Sequence, residues 1–368
     1  MTSLIYLAGP PGLKIKRAIE STGLDLRYFQ LDASRPCFER LRVLRRVIAA
    51  TWQEREQAVG LMIDFIGGYS LAAMLVCWLT GVPFVIRLRG DIWHETREAL
   101  HLARSFTRKI FHYRQLLLAR FVVRHANLII PTSIFLKERI LAEVKVKDAA
   151  QERVIPVSEF LELDYFRPER VKPGARQILG LPEDARVICT VTNFSYQAKA
   201  RGLYVIVTVL NPLMQADGRI HWLIAGSGLF QAEFVRTVMA QAQSKDNILF
   251  LGHCSDIKSI YLASDLLIHF SFMDAFPAVV LEAQACGLPV IVNHFGGMPE
   301  QVRPGETGYI VNPTEPMAVQ HLIRHLLDDP EQRTRMGLAG RQWVESKFNY
   351  QAVGERFEQA LALIRDSK

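Results

Sequence analysis

The stretch Asp274–Glu300, DAFPAVVLEAQACGLPVIVNHFGGMPE, places two carboxylates, Asp274 and Glu282, eight residues apart around the start of an apolar helix. Pro277 suits a first helical turn, where a missing N–H costs nothing, and Gly287 suits a C-terminal cap. The spacing therefore predicts a helix from Pro277 to Cys286. Glu282 falls in its middle among Val279, Val280, Leu281, Ala283 and Ala285, so its carboxylate needs a defined hydrogen-bond partner or a solvent-facing cleft. Ligand hydroxyls would serve. Asp274 stands just before the helix start at Phe276, Pro277 and Ala278, where free backbone N–H groups and the positive dipole end make a seat for phosphate or polar sugar atoms. The same Asp is equally suited to capping that helix. After the helix, LPVIVN reads as a short buried strand, and Gly296 and Gly297 lie in a glycine-rich loop that leads to Glu300.

Working outward, residues 187–203, VICTVTNFSYQAKARGL, read as strand, polar loop and helix start. Residues 221–234, HWLIAGSGLFQAEF, run from an apolar strand into a Gly-x-Gly loop at Gly226 and Gly228 and then a helix. Residues 247–271 give strand, loop, helix and strand, with His253 and Cys254 in the loop. In the first half, residues 61–68 and 82–93 hold two buried strands that end in polar loops, with Arg87, Arg89, Asp91 and His94 at the end of the second. Strands alternating with helices imply an α/β fold of doubly wound parallel sheets, with ligands beyond the carboxyl ends of the strands. Asp91 either orients an acceptor hydroxyl or caps the following helix. No Asp-x-Asp triplet occurs, so the common metal-holding pair of carboxylates is absent and no metal is expected.

Composition bounds the class. With 368 residues, 49% hydrophobic and 22% charged, the chain is long enough for two domains, each with its own core. Cys37, Cys77, Cys189, Cys254 and Cys286 are dispersed and odd in number, which argues for a reducing cytoplasm and against a disulfide framework. The first strand has no basic leader and reads as a poor signal peptide. Residues 66–86 carry no charge, but Gly67, Gly68, Gly81 and Pro83 divide them into strand end, helix and strand rather than a membrane span. The net charge of +7 is unevenly shared: residues 1–184 hold 28 Lys and Arg against 20 Asp and Glu, and residues 185–368 hold 16 against 17. Two helical stretches concentrate the cations, around residues 46 and 113. In the first, Leu41, Leu44, Ile48 and Trp52 share a face while Arg42, Arg45 and Arg46 project elsewhere, an arrangement suited to an anionic membrane surface or to a solvated exterior. No helix-turn-helix, zinc or ribonucleoprotein motif accompanies the charge, so nucleic acid is not an expected partner.

Taken together, the segments resemble the signature of the retaining nucleotide-sugar glycosyltransferases of family 4, which have the GT-B fold. In that family two acidic residues separated by seven others mark the donor site, followed by ACG-P-V and a GG-x-P-E loop. Asp274, one methylene shorter than the usual Glu, fills the first position and Glu282 the second. Residues 153–168 resemble the family's bridge between domains through Asp164, Phe166 and Pro168, without its asparagine and glycine. The family's diphosphate-clamping Arg and Lys correspond to Asn193 and Arg201, with Lys199 a second cation in a lengthened loop. The resemblance further implies that the loop at His253 and Cys254 holds the base, mainly through backbone groups, and that Gly226 and Gly228 line the donor site. The loop at Gly9 to Gly12 corresponds to the family's first glycine loop, and the sugar side lies near Arg87, Arg89, Asp91 and His94, where many members carry a His.

The implied architecture is two doubly wound Rossmann-like domains facing a cleft. Residues 1–166 with 350–368 would bind the acceptor and residues 167–349 the nucleotide-sugar donor, with the hinge at Lys172 to Pro182. The implied activity is metal-independent, retaining transfer of a sugar from a UDP-, GDP- or ADP-linked donor, with no cofactor, to a glycan or lipid-linked hydroxyl. Asp274, Lys199 and Arg201 would do the work of catalysis. The implied setting is cytoplasmic, peripheral on the inner membrane face, in cell-envelope polysaccharide or lipid-linked glycan synthesis. The remaining readings are a silent GT-B scaffold, consistent with Asp274 and Asn193, and a basic adaptor for membrane or nucleic acid.

Overall fold

Apolar runs too continuous for a half-exposed sheet form the centre of two parallel sheets, each covered by helices. The computed structural model describes residues 2–9, 15–32, 34–145, 148–168 and 175–365. The chain divides into two compact units, Met1–Phe160 with Phe348–Lys368, and Leu161–Lys347.

The first unit contains β1 (Ser3–Ala8), α1 (Lys16–Glu20), β2 (Asp25–Gln30), α2 (Cys37–Gln53), β3 (Ala58–Ile63), α3 (Gly68–Thr80), β4 (Phe84–Leu88), α4 (Ile92–Leu102), α5 (Phe106–Arg124), β5 (Leu128–Pro131) and α6 (Ile134–Val144). Its strands pair in the order β2-β1-β3-β4-β5, all parallel. β1, β3, β4 and β5 are buried throughout, whereas β2, at the edge, carries the polar positions. Asp91, Ser105 and Ser133 each accept a hydrogen bond from the backbone N–H three residues on, which starts α4, α5 and α6 at those points. The uncharged residues 66–86 resolve into α3 and β4, separated by Gly81 in the left-handed region. No helix among the described residues is long and apolar enough to cross a membrane.

The second unit contains α7 (Ala175–Ile178), β6 (Arg186–Val191), α8 (Gln197–Ala200), α9 (Gly202–Ala216), β7 (Ile220–Ala225), α10 (Gln231–Gln241), β8 (Ile248–Gly252), α11 (Ile257–Ala263), β9 (Leu266–His269), α12 (Ala278–Ala285), β10 (Val290–Asn293), β11 (Gly308–Val311), α13 (Pro316–Asp328) and α14 (Pro330–Lys347). Its six strands are parallel in the order β11-β10-β9-β6-β7-β8. Trp222, fully buried, anchors this core and donates its indole N–H to Thr190 at 2.9 Å. α15 (Tyr350–Arg365) belongs to the first unit, where Val353, Phe357 and Leu361 join the core beside α1.

In the segment expected as the hinge, Lys172 to Pro182, the described part is tied to the second unit. Arg176 ties α7 to the second unit by hydrogen bonds to the carbonyls of Ala263 (3.2 Å) and Ala185 (2.8 Å) and by an ion pair with Asp265 (3.2 Å). A guanidinium with that many fixed acceptors holds its helix in place.

Candidate functional site

In the second unit the strand order reverses between β6 and β9: β7 and β8 follow to one side of β6, β10 and β11 to the other side of β9. Loops leaving the two strands must diverge there, opening a crevice beyond their carboxyl ends where open parallel sheets bind ligands. The loop after β6 leads to Lys199 on α8 and to Arg201 at the start of α9; the loop after β9 carries Asp274 to the start of α12.

Side chains shape the second loop. Asn293, at the end of β10, accepts from the Ser271 N–H and donates its amide to the Ser271 carbonyl, both at 3.0 Å. The Ser271 hydroxyl then accepts from the N–H groups of Met273 (3.4 Å) and Asp274 (3.3 Å). Gly296 lies close underneath with φ +69°, where a Cβ would collide with the Asp274 carbonyl oxygen. Gly296→Ala is therefore expected to destabilise the second unit by roughly 2–4 kcal/mol, read as a fall in Tm of about 5–10 °C. An unchanged Tm would remove the close approach as the reason for this glycine. Gly226, at φ +141°, lets the loop after β7 meet the loop after β6 in the same way, against the Thr192 carbonyl.

Asp274 does not cap α12. Its Oδ1 lies 2.7 Å from the Lys199 Nζ and its Oδ2 3.5 Å from the Nε2 of His269, the last residue of β9. Burial favours the protonated acid, but His269 and Lys199 together hold the carboxyl well below the usual carboxylate range, so it is ionised at neutral pH. The alternative of a capping Asp is thereby set aside. The N-cap position belongs to Pro277, no side chain caps the helix, and no acid occupies its first turn. The positive end of α12 is thus left for an anion. Its position is fixed from below, where buried Gln301 donates to the Pro277 carbonyl at 3.0 Å.

Glu282 sits half-buried on α12 and accepts a hydrogen bond from the hydroxyl of fully buried Tyr261 at 2.8 Å. Burial, with the Glu282 charge beside it, raises the Tyr261 pKa far above its ordinary value and keeps the phenol a donor. Of the other expected donor-side residues, Asn193 is exposed and closes a turn by accepting from the Ser195 N–H at 2.7 Å, and Arg201 is exposed. Gly228 adjoins the backbone at Phe194, and the Gly226 N–H donates to the Gly252 carbonyl at 2.8 Å, which brings the loop of His253 and Cys254 alongside. His253 is exposed, and Cys254 turns its thiol to the carbonyls of Leu251 and Gly252. Phe276, Pro277, Ala278 and Gly297 all stand at the same carboxyl edge of the sheet.

The first unit treats its expected residues differently. Arg87, expected on the acceptor side, is fully buried and its guanidinium faces the carbonyls of Val157 (3.4 Å) and Ser158 (3.5 Å). An Arg inside an apolar parallel strand has to find internal acceptors, so this residue serves the fold. Asp91 is likewise spent, capping α4 through the His94 N–H (3.0 Å) and pairing with Arg139 (2.9 Å); the capping alternative is the observed one. His94 is half-buried, and Arg89 lies 4.0 Å from Asp64, which also accepts from the Tyr6 hydroxyl (2.9 Å) and the Gly9 N–H (2.6 Å). Gly12 lies outside the described residues. Sequence reasoning missed His269, Tyr261 and Asp64. For His269 and Asp64 a signal was present, a polar residue closing an apolar strand; for Tyr261 none was.

Two parallel-sheet α/β domains with ligand loops at the strand ends define the GT-B class. The chain is similar to HepE of Anabaena, solved in complex with UDP-glucose, with a TM-score of 0.73 and 16% identity over 99% of this chain and 100% of that one. Residues 171–343 match the family model described as Glycosyl transferases group 1. Among curated relatives, the D-inositol 3-phosphate glycosyltransferase of Streptomyces scabiei is 29% identical over 211 residues, 55% of this chain and 47% of the relative. The GDP-mannose-dependent monoacylated alpha-(1-6)-phosphatidylinositol monomannoside mannosyltransferase of Corynebacterium glutamicum is 31% identical over 206 residues, 52% and 50% of the two chains. The chain spans about half the length of these relatives.

Proposed function

We propose that the protein transfers a sugar from a nucleoside diphosphate sugar to a hydroxyl of a glycan or lipid-linked acceptor, with retention of anomeric configuration and without a metal. Residues 167–349 would bind the donor, and residues 1–166 with 350–368 the acceptor. The observation that carries the reading is the convergence of Lys199, Asp274 and the uncapped start of α12 at the strand-order reversal. Lys199, Arg201 and the α12 N-terminus then face the diphosphate, Asp274 with the Gly296 and Gly297 loop holds the sugar, and Glu282 takes the ribose hydroxyls.

In the reaction the bond from the anomeric carbon to the diphosphate oxygen breaks while a bond to the acceptor oxygen forms on the same face. The acceptor proton passes to the departing phosphate oxygen, so no carboxylate nucleophile is assigned. Negative charge grows on the leaving group, and fixed cations and helix N–H groups stabilise it most where that charge is largest. Such acceptors suit work at the inner face of the cytoplasmic membrane, in the building of envelope polysaccharide or lipid-linked glycan.

The test is a thermal-shift and nucleotide-release panel of UDP-, GDP- and ADP-sugars in the presence of a chelator, headed by UDP-glucose because HepE was solved with it. Selective stabilisation by one donor with slow release of its nucleoside diphosphate supports the reading. Stabilisation without release under any acceptor would favour a silent scaffold, and indifference to every nucleotide would sink the donor site.

A further inference from the structure

We infer that the face of the first unit formed by α2, α3 and α5 docks on an anionic lipid bilayer. Helices covering one side of a sheet bury one apolar stripe and show water a polar one. These three do otherwise. α2 buries Val47 and Thr51 yet exposes Phe38, Leu41, Ile48 and Trp52, which fall within one stripe at helical spacing. Leu44, expected in that stripe, is half-buried, and Phe38 extends it instead. α3 buries Ala73 and Cys77 while Leu75 and Trp78 face out, Trp78 with 78% of its surface exposed. α5 buries Leu116, Ala119 and Val123 while Phe106, Tyr113 and Leu117 face out, Phe106 at 76%. α3 packs against both of the others, so the three helices stand side by side in the first unit. Large apolar side chains exposed together on neighbouring helices and rimmed by polar residues mark an interaction surface.

The charge around it selects the partner. A cavity of about 500 Å³ beside α2 is lined in part by Arg35, Arg40, Arg42 and Arg46. Arg35 is taken by Asp32 and Glu39, whereas Arg40, Arg42 and Arg46 pair with no carboxylate among the described residues, and the Arg40 Nε is buried without a hydrogen-bond partner. On α5, residues 104–125 contain Arg104, Arg108, Lys109, Arg114, Arg120 and Arg124 and no acid; Arg120 is taken by Glu143 and Arg124 by the Val144 carbonyl, which leaves the other four. Two copies of the chain meeting by this face would set like charges opposite each other. A bilayer with anionic headgroups meets both demands: Arg and Lys reach the phosphates while Trp, Phe, Tyr and Leu enter the boundary below them.

This deepens the membrane setting of the proposed function but is independent of the transfer chemistry. Flotation with phosphatidylcholine vesicles, with and without phosphatidylglycerol, is the test, and nucleotide release from the donor is read on the same proteins. The chain is expected to float with phosphatidylglycerol vesicles only. Arg42→Gln with Arg46→Gln should weaken that binding about 10- to 30-fold, and Ile48→Ser with Trp78→Ser should weaken it on its own, with Tm and nucleotide release unchanged because all four side chains are exposed. Equal flotation with both vesicles, normal binding by both variants, or no flotation together with a dimer dispersed by Trp78→Ser would each overturn the inference. Loss of nucleotide release in the wild-type chain would count against the transfer reading and leave this one standing.

Discussion

Changing Lys199 and Arg201 together to Ala is expected to lower turnover by about 100- to 1000-fold, the range seen when a group aimed at developing charge is removed. Lys199 is held 2.7 Å from Asp274, with 22% of its side chain exposed, so it is positioned rather than freely solvated. In the proposed reaction a donor diphosphate would compete with Asp274 for that ammonium. Binding exchanges one ion pair for another and gains little, whereas the departing diphosphate, with more charge, gains more. The loss should therefore appear chiefly in kcat and less in KM. Arg201, exposed beside the start of α9, adds a second cation. If Lys199 served only to neutralise Asp274, its removal would lower Tm by leaving the carboxylate with His269 alone and would spare kcat; that pattern would refute the role given to it.

The second large effect is expected from Glu282→Ala, which should weaken donor binding by about 10- to 100-fold, as hydrogen bonds to a charged acceptor contribute roughly 1.5–3 kcal/mol. Tyr261 donates to one carboxylate oxygen at 2.8 Å, which would leave the group ordered to accept the ribose hydroxyls of the proposed donor. Isothermal titration with the nucleoside diphosphate alone isolates this contribution from chemistry. Glu282→Gln, which keeps the shape and an acceptor for Tyr261, should fall between the two. Equal affinity in all three proteins would remove Glu282 from the ribose.

Much of this was legible in the sequence where local punctuation governs. Pro277 and Gly287 bracket α12 within a residue of the expected bounds, the interrupted apolar run at residues 66–86 divides at Gly81 into α3 and β4, and the α/β alternation implies parallel sheets. What the pattern does not carry is the partner of a polar group when that partner is distant in sequence. Asp274 offered capping or ligand binding, and Lys199, 75 positions earlier, resolves the choice. Asp91 offered capping or acceptor contact, and Arg139 closes the second option. Arg87, expected with Arg89 and Asp91 at the strand's carboxyl end, lies inside β4, where neighbouring side chains are buried on both faces. Tyr261 shows nothing unusual in its own segment; only the sheet brings it to Glu282.

The glycines between the loops bear on how such a site diverges. Gly226 and Gly296 let the loops after β7 and β10 touch their neighbours through main chain alone, at the Thr192 and Asp274 carbonyls. The scaffold of the site is therefore written in residues that have no side chain to vary, while Asn193 and His253 stand exposed on it. Side chains carried on these loops can therefore change while the main-chain contacts that hold the loops together stay unaltered.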